Sequence, residues 1–309
     1  MVSDIIDFHT HVHPTAKDGV AFQRLWGDQQ PERNGTPEEL LPMMDRAGIG
    51  KTLIVPWMPA QDHADRLAIE LSGVDPADGE HHAEAAARIV ESWVVLNQWA
   101  VDTVAAFPDR FLCLVGLDPI LMSEELVRRE AADKLSKGAV GLKIAPMFLR
   151  TQPDDERMAI VFELAREHGV WVLSQAGGAG YDGAPAWGHP RHFEAVLQAY
   201  PEVDIMLAHL GIGAEEEVAR LTAAHANLYA DCSSRLHLLG KPGEWSLAEA
   251  AEWFRRIGMD RVVFGTNYPI CDPVVYTQVI DAMPLTEAER RQVCFENALG
   301  ILRRAGQAT

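Results

Sequence analysis

Ile5-Ile6-Asp7-Phe8-His9-Thr10-His11 is the stretch whose reading decides the fold. Apolar residues lead into a His-x-His pair, as in a short buried strand that ends at a polar edge. In a strand, residues i and i+2 point to the same side, so His9 and His11 can present two imidazoles toward one point. Imidazole suits zinc and other borderline metals, and the pair reads as half of a metal site rather than as two ordinary surface or core histidines. Outward from this stretch, short β-rich runs alternate with helical ones. Candidate strands lie at 5–9, 52–56, 111–117, 139–144, 170–174, 204–208, 228–231 and 262–264. The alternation is that of parallel strands joined by helical crossovers, and eight such strands close a barrel. The predicted fold is α/β, a single (β/α)8 TIM barrel occupying residues 1–309.

Between the strands lie amphipathic stretches. Thr36-Pro37-Glu38-Glu39 has a helix-start signature: a capping hydroxyl, proline in the first turn and carboxylates at the positive end of the helix dipole. The helix is predicted to run to Ala47 and stop at Gly48. Further helices are expected at 83–107, 123–136, 155–168, 192–200, 215–224, 246–257 and 287–305. Two long segments, 10–36 and 59–80, interrupt the alternation and read as loops at the barrel mouth, where the chemistry of such barrels sits. Gly178-Ala179-Gly180-Tyr181-Asp182-Gly183 fits the dinucleotide-binding glycine spacing, but a proline-containing run follows where a helix is required, so a loop is the better reading.

The composition narrows the partners. With 45 acidic against 27 basic residues, the net charge of −18 opposes binding to nucleic acid or to anionic membranes and favours a small-molecule substrate. No apolar run reaches the length of a membrane span, and no signal segment precedes the first strand, so a cytoplasmic location is expected. Cys113, Cys232, Cys271 and Cys294 are widely separated and read as packing thiols. Cys232 and Cys271, each just beyond a strand, are the two placed to face a site.

Five runs, in this order, carry a family resemblance: Asp7-Phe8-His9-Thr10-His11, Gly141-Leu142-Lys143-Ile144-Ala145-Pro146, Ile205-Met206-Leu207-Ala208-His209-Leu210-Gly211, Phe264-Gly265-Thr266-Asn267-Tyr268-Pro269 and Phe295-Glu296-Asn297-Ala298. Together they resemble the amidohydrolase superfamily, in particular its amidohydrolase-related branch of metal-dependent decarboxylases and hydrolases of small carboxylates. The resemblance implies a metal held by the strand-one histidines, a histidine after strand five and an aspartate after strand eight, with a strand-six histidine assisting catalysis. His9, His11 and His209 match. Gln175 stands at the strand-five position and Asn267 at the strand-eight position, and Ala145 replaces a frequent histidine.

An asparagine carries no negative charge and takes no proton near neutrality, so Asn267 cannot be a general base, and glutamine is a poorer zinc ligand than imidazole. The expected metal set is His9, His11 and Gln175, with His209 and Asn267 as catalytic residues and Asp231 or Asp272 behind His209 as base. The cofactor is a divalent metal, zinc first, or none. Lys143 reads as an interior cation able to orient an anionic substrate. Trp57, Arg150, Tyr181, Trp187, His189, Arg235 and His237 follow strands at plausible reach, and arginine is the natural clamp for a carboxylate.

The predicted function is hydrolysis of a small organic acid, ester, lactone or amide at this atypical metal site. The alternatives are non-oxidative decarboxylation of a small carboxylic acid, including an aromatic one, a metal-free lactonase-like enzyme, and a non-catalytic ligand-binding barrel. Relatives are often dimers, so a homodimer is an expectation from resemblance alone.

Overall fold

The computed structural model describes residues 5–72, 79–180 and 183–307. Eight parallel strands follow one another around a barrel. They are β1 (Ile5–Thr10), β2 (Ile49–Ile54), β3 (Phe111–Cys113, resuming as Val115–Gly116), β4 (Gly141–Ile144), β5 (Trp171–Ser174), β6 (Ile205–Leu207), β7 (Leu228–Asp231) and β8 (Val262–Val263). Leu114 separates the halves of β3: its N–H donates to Ile54 O at 3.1 Å, while Cys113 O accepts from Val140 N at 2.9 Å, so the strand serves both neighbours. The ends of the sheet meet where Phe8 N donates to Phe264 O at 2.9 Å and Asn267 N to His9 O at 2.8 Å. Every predicted strand is present.

Register explains how the first strand both fills the barrel and arms its mouth. Asp7 pairs with Thr52 and Thr10 with Ile54, so three steps along β1 face two along β2. The extra residue is a bulge, and it reverses which residues face inward. Ile6 and Phe8 therefore join the interior cluster with Leu53, Val55, Leu173 and Met206, and Phe8 stacks on Trp171 at 4.9 Å. Beyond the bulge, His9 reaches the interior face, where it meets Asp231 of β7. The helix Asn297–Arg304 adds Ala298, Ile301 and Leu302 to the interior cluster and closes the end opposite the mouth. A second, larger apolar layer lies between the strands and the surrounding helices.

Local signals set the helix ends. Pro37–Ala47 stops at Gly48, whose φ of 69° is the left-handed conformation glycine adopts at low cost. Its start differs from expectation, because the Thr36 hydroxyl makes no capping bond. Glu39 reaches back instead, accepting from Asn34 N at 2.8 Å and Gly35 N at 3.0 Å. The two long segments are also more ordered than expected. Segment 10–36 contains the helix Ala16–Leu25, and segment 59–80 contains Ala60–Ser72 and the start of Gly79–Ala106. Polar and charged residues alternate with the apolar ones in Ala16–Leu25 and Ala60–Ser72, and their side chains border the clefts at the mouth. No helix among the described residues is long and apolar enough to cross a membrane.

Candidate active site

The site is assembled where strands turn into loops. His209, Ser234 and Asn267 there have positive φ of 62°, 58° and 67°, a conformation that costs non-glycine residues free energy and persists only when neighbours fix it. They are fixed: His209 N donates to Asp231 Oδ1 at 3.1 Å, and Asn267 Nδ2 donates to Ser234 Oγ at 2.5 Å. Asp7, buried below, ties the first and last strands by accepting from Thr266 N at 2.9 Å, Thr266 Oγ1 at 2.6 Å and His9 N at 3.2 Å. Burial raises its carboxyl to about 7.

Hydrogen bonding sets the state of the three imidazoles. His9 Nδ1 donates to Asp231 Oδ2 at 2.8 Å, and His11 Nδ1 donates to Val55 O at 2.9 Å. The Ser233 hydroxyl donates to Asp231 Oδ1, which leaves its oxygen to accept from His209 Nδ1 at 2.8 Å. With each Nδ1 carrying the hydrogen, each Nε2 of a neutral ring carries a lone pair. His9 Nε2 and His11 Nε2 face one another at 3.2 Å. Two lone pairs at that distance repel unless a cation lies between them, and metal–nitrogen bonds of about 2.0–2.1 Å place two ligand atoms roughly 3 Å apart.

His9, His209 and Asp231 also form a cluster, each offering one ligand atom within 4.8 Å of the others. The residues present therefore fit a divalent cation, with a His-His-Asp set centred on His9. The carboxylate comes from Asp231, at the end of β7. This corrects the expected atypical site, in which the amides of Gln175 and Asn267 stood for the ligands. Gln175 Oε1 instead accepts from Met147 N at 3.2 Å, whereas Asn267 Oδ1 is buried without a hydrogen-bond partner among the described residues.

Electrostatics follows from burial. Desolvation, the nearby His9 and Lys143 lower His209 to about 3, and the same causes hold His11 well below the ordinary histidine range. Desolvation lowers Lys143 to about 7, opposed by the charge of Asp231. Burial alone would raise Asp231. The neighbouring His9 and the hydrogen bond it donates, with help from His209 and Ser233, outweigh it and keep the carboxylate below its usual range. Asp231 accepts four hydrogen bonds in all, His209 N, Ser233 N and Ser233 Oγ on Oδ1 and His9 Nδ1 on Oδ2, which leaves it ionised with a lone pair on Oδ2 for the metal set.

Above these groups lies a cavity of about 270 Å³. His9, His11, Lys143, Gln175, His209, His237 and Asn267 line it on the polar side, and Phe22, Trp26, Trp57 and Phe148 form an aromatic wall.

Other predicted residues lie elsewhere. Arg150 is held at the outer rim by Asp62 at 2.5 Å and Asp65 at 2.7 Å, and Arg235 pairs with Glu215 at 3.3 Å and stacks on Trp245 at 4.2 Å. Neither arginine lines the cavity, so the expected carboxylate clamp is not formed by them. His189 accepts from Arg191 N at 3.2 Å and so caps a short helical turn; it and Trp187 are outside the cavity. Tyr181 lies outside the described residues. Cys232 is fully buried, and Cys271 contacts His237 Nδ1 at 3.3 Å. Phe22, Trp26, Phe148 and Ser233 were missed. The i, i+4 spacing of Phe22 and Trp26 was a signal for a shared helix face.

This fold and metal centre define a class: the chain belongs to the amidohydrolase family, whose model matches residues 6–304. Family and site together mark it as an enzyme. No curated protein matches it by sequence. Among solved structures it resembles an uncharacterised TIM-barrel protein from Bordetella bronchiseptica, at 19% identity and a TM-score of 0.72, covering 98% of this chain and 99% of that one. It also resembles 2,6-dihydroxybenzoate decarboxylase from Rhizobium, at 16% identity and TM-score 0.69, over 97% and 98% of the two chains. A third is dihydroxybenzoic acid decarboxylase from a Polaromonas species, solved with manganese and 2-nitroresorcinol, at 18% identity and TM-score 0.66 over 98% of each. At these identities the likeness establishes the fold. Several of the similar structures are decarboxylases by name and others amidohydrolases; the His-His-Asp set overturns the atypical amide site on which the expected hydrolysis rested.

Proposed function

We propose that the protein is a metal-dependent decarboxylase that removes CO2, without oxidation, from a small aromatic carboxylic acid. One observation carries the reading: the polar side of the cavity offers a buried ammonium, Lys143, but no carboxylate free to activate water. Asp231 is engaged by four donors and belongs to the metal set, Asn267 is an amide, and the Nε2 of His209, whose Nδ1 is held by Ser233, faces the metal position. Hydrolysis needs a base at the attacking water, whereas decarboxylation needs a charge to hold the carboxylate and a proton for the carbon it leaves.

The Nε2 atoms of His9, His11 and His209, with Asp231, would hold the metal. Bound there, a divalent ion supplies positive charge that draws anionic oxygens of the substrate and stabilises charge that develops on them. Lys143, which makes no hydrogen bond or ion pair among the described residues, orients the carboxylate. Near neutral pH it also carries a proton that it can give to the ring carbon bearing the carboxylate. The carbon–carbon bond then breaks, its electron pair stays with the ring, CO2 leaves, and Lys143 regains a proton from solvent. The aromatic wall excludes water and faces the ring. Imidazole ligands favour zinc, while manganese is the ion in the Polaromonas relative. Elemental analysis decides between them.

The test is CO2 release from a panel of hydroxybenzoates by metal-loaded protein, with Lys143→Met as control. We expect release from at least one acid and a loss of about 100-fold or more in the variant. Ester or lactone hydrolysis with no CO2 release would sink the proposal.

A further inference from the structure

Trp57, just after β2, borders three spaces at once. The inner cavity of about 270 Å³ lies on one side of the aromatic wall. On the other are an outer cleft of about 670 Å³, reached past Phe22, and another of about 350 Å³, reached past Trp26 and Phe148. Phe22, Trp26 and Phe148 each border the inner cavity and one cleft, whereas Trp57 alone among the described residues lines all three. Its indole meets Phe22 at 5.3 Å and Phe148 at 4.6 Å, both edge-on, and lies 5.9 Å from Trp26 and 6.1 Å from the His11 ring. It is the hub of the wall.

We propose that Trp57 is the size-selecting wall of the pocket: its indole confines the substrate to a single substituted ring and shuts out acids that carry a second ring. The inference rests on reading this pocket as the site of an aryl acid. An inner volume of about 270 Å³ is slightly below the range of roughly 300–1,000 Å³ common for drug-sized ligands, which leaves room for one ring and its substituents. With the carboxylate drawn to Lys143, the far edge of the ring points at the aromatic wall. A second ring on that edge would need the space the indole fills. Phe22 stands with Trp57 toward one cleft and Trp26 and Phe148 toward the other, so the indole is the side chain common to both partitions and its removal opens the inner cavity toward both.

The experiment is calorimetric binding of benzoate, biphenyl-3-carboxylate and biphenyl-4-carboxylate to metal-loaded wild-type protein, Trp57→Ala and Trp57→Phe. Melting curves verify that each variant is folded. Wild type is expected to bind benzoate at least tenfold more tightly than either biphenyl acid. In Trp57→Ala the preference should move toward a biphenyl acid by tenfold or more, with benzoate weakened and the biphenyl acid strengthened; Trp57→Phe should fall between. A general loss of structure would weaken all three ligands together, so the opposite signs identify a wall. Wild type that accepts biphenyl acids as well as benzoate, a wild type that binds no aryl acid, or a folded Trp57→Ala that still excludes them would each overturn the inference. Size selection in binding without CO2 release from any acid would remove the proposed reaction and leave the wall standing.

Discussion

Asp231 does at residue scale what no local pattern around it announces. Its two oxygens fix the ring of His9, the backbone turn at His209 and the hydroxyl of Ser233. In Asp231→Asn, an amide group facing His9 Nδ1 would set donor against donor. Manganese or zinc affinity should fall by at least roughly 10–100-fold in calorimetric titration, because the carboxylate both belongs to the metal set and orients the ring of His9. Unchanged affinity would refute this account of the imidazole states. Asp118 makes a separate prediction away from the metal. It is fully buried, and burial raises it to about 6, opposed by the backbone N–H groups of Leu121 and Ile120 and by the indole of Trp93. Because the folded pKa exceeds the unfolded one, its favourable contribution is complete below about pH 4 and is lost as pH rises through 6. Asp118→Asn keeps the acceptor for Ile120 N and Leu121 N and carries no charge to bury. Relative to wild type it should gain up to about 3 kcal/mol between pH 4 and pH 7.5, read from melting curves at both. A difference that does not grow with pH would contradict it.

At element scale, two glycines separate backbone strain from close approach. Gly48 ends the helix Pro37–Ala47 at φ 69° with open space where a Cβ would lie, so Gly48→Ala should cost only about 1 kcal/mol of left-handed strain. Gly19 sits inside Ala16–Leu25, and a Cβ there would lie 2.1 Å from Asn34 O. Gly19→Ala must move that helix, which carries Phe22, off the segment beneath it. The expected cost is about 2–3 kcal/mol by denaturant unfolding, the upper part of the range for overpacking, because the clash is with backbone. Equal effects at the two positions would show that Ala16–Leu25 is not seated as described. In sequence this segment reads as loop although Val20, Ala21, Phe22 and Leu25 lie in it; its order comes from the Thr15 cap and from the packing of Phe22 at the mouth.

For the whole molecule, metal binding and stability are linked, since a ligand that binds only the folded chain stabilises it by mass action. Manganese or zinc at about 100 times its dissociation constant should add roughly 2.7 kcal/mol, visible as a higher melting temperature that chelator reverses. Identical melts in metal and in chelator would argue against a cation at His9.

The barrel was legible in sequence because strand alternation, the His-x-His pair and the Pro37 and Gly48 helix boundaries are local properties, set by side-chain periodicity and backbone preference within a few residues. All eight strands follow from that pattern; that His9, His11, Lys143, His209 and Asn267 line one pocket is a matter of the fold. What only the tertiary structure decided concerns partners far apart in the chain. His9 and Asp231 are separated by 222 residues, and their contact replaces the expected amide ligands with a carboxylate. Arg150 and Arg235 have the right chemistry for an acid, yet Asp62, Asp65 and Glu215 claim them first. Periodicity tells which way a side chain points along its own element. Which charge neutralises which, and which rings close a wall around 270 Å³, depends on the distances that folding creates.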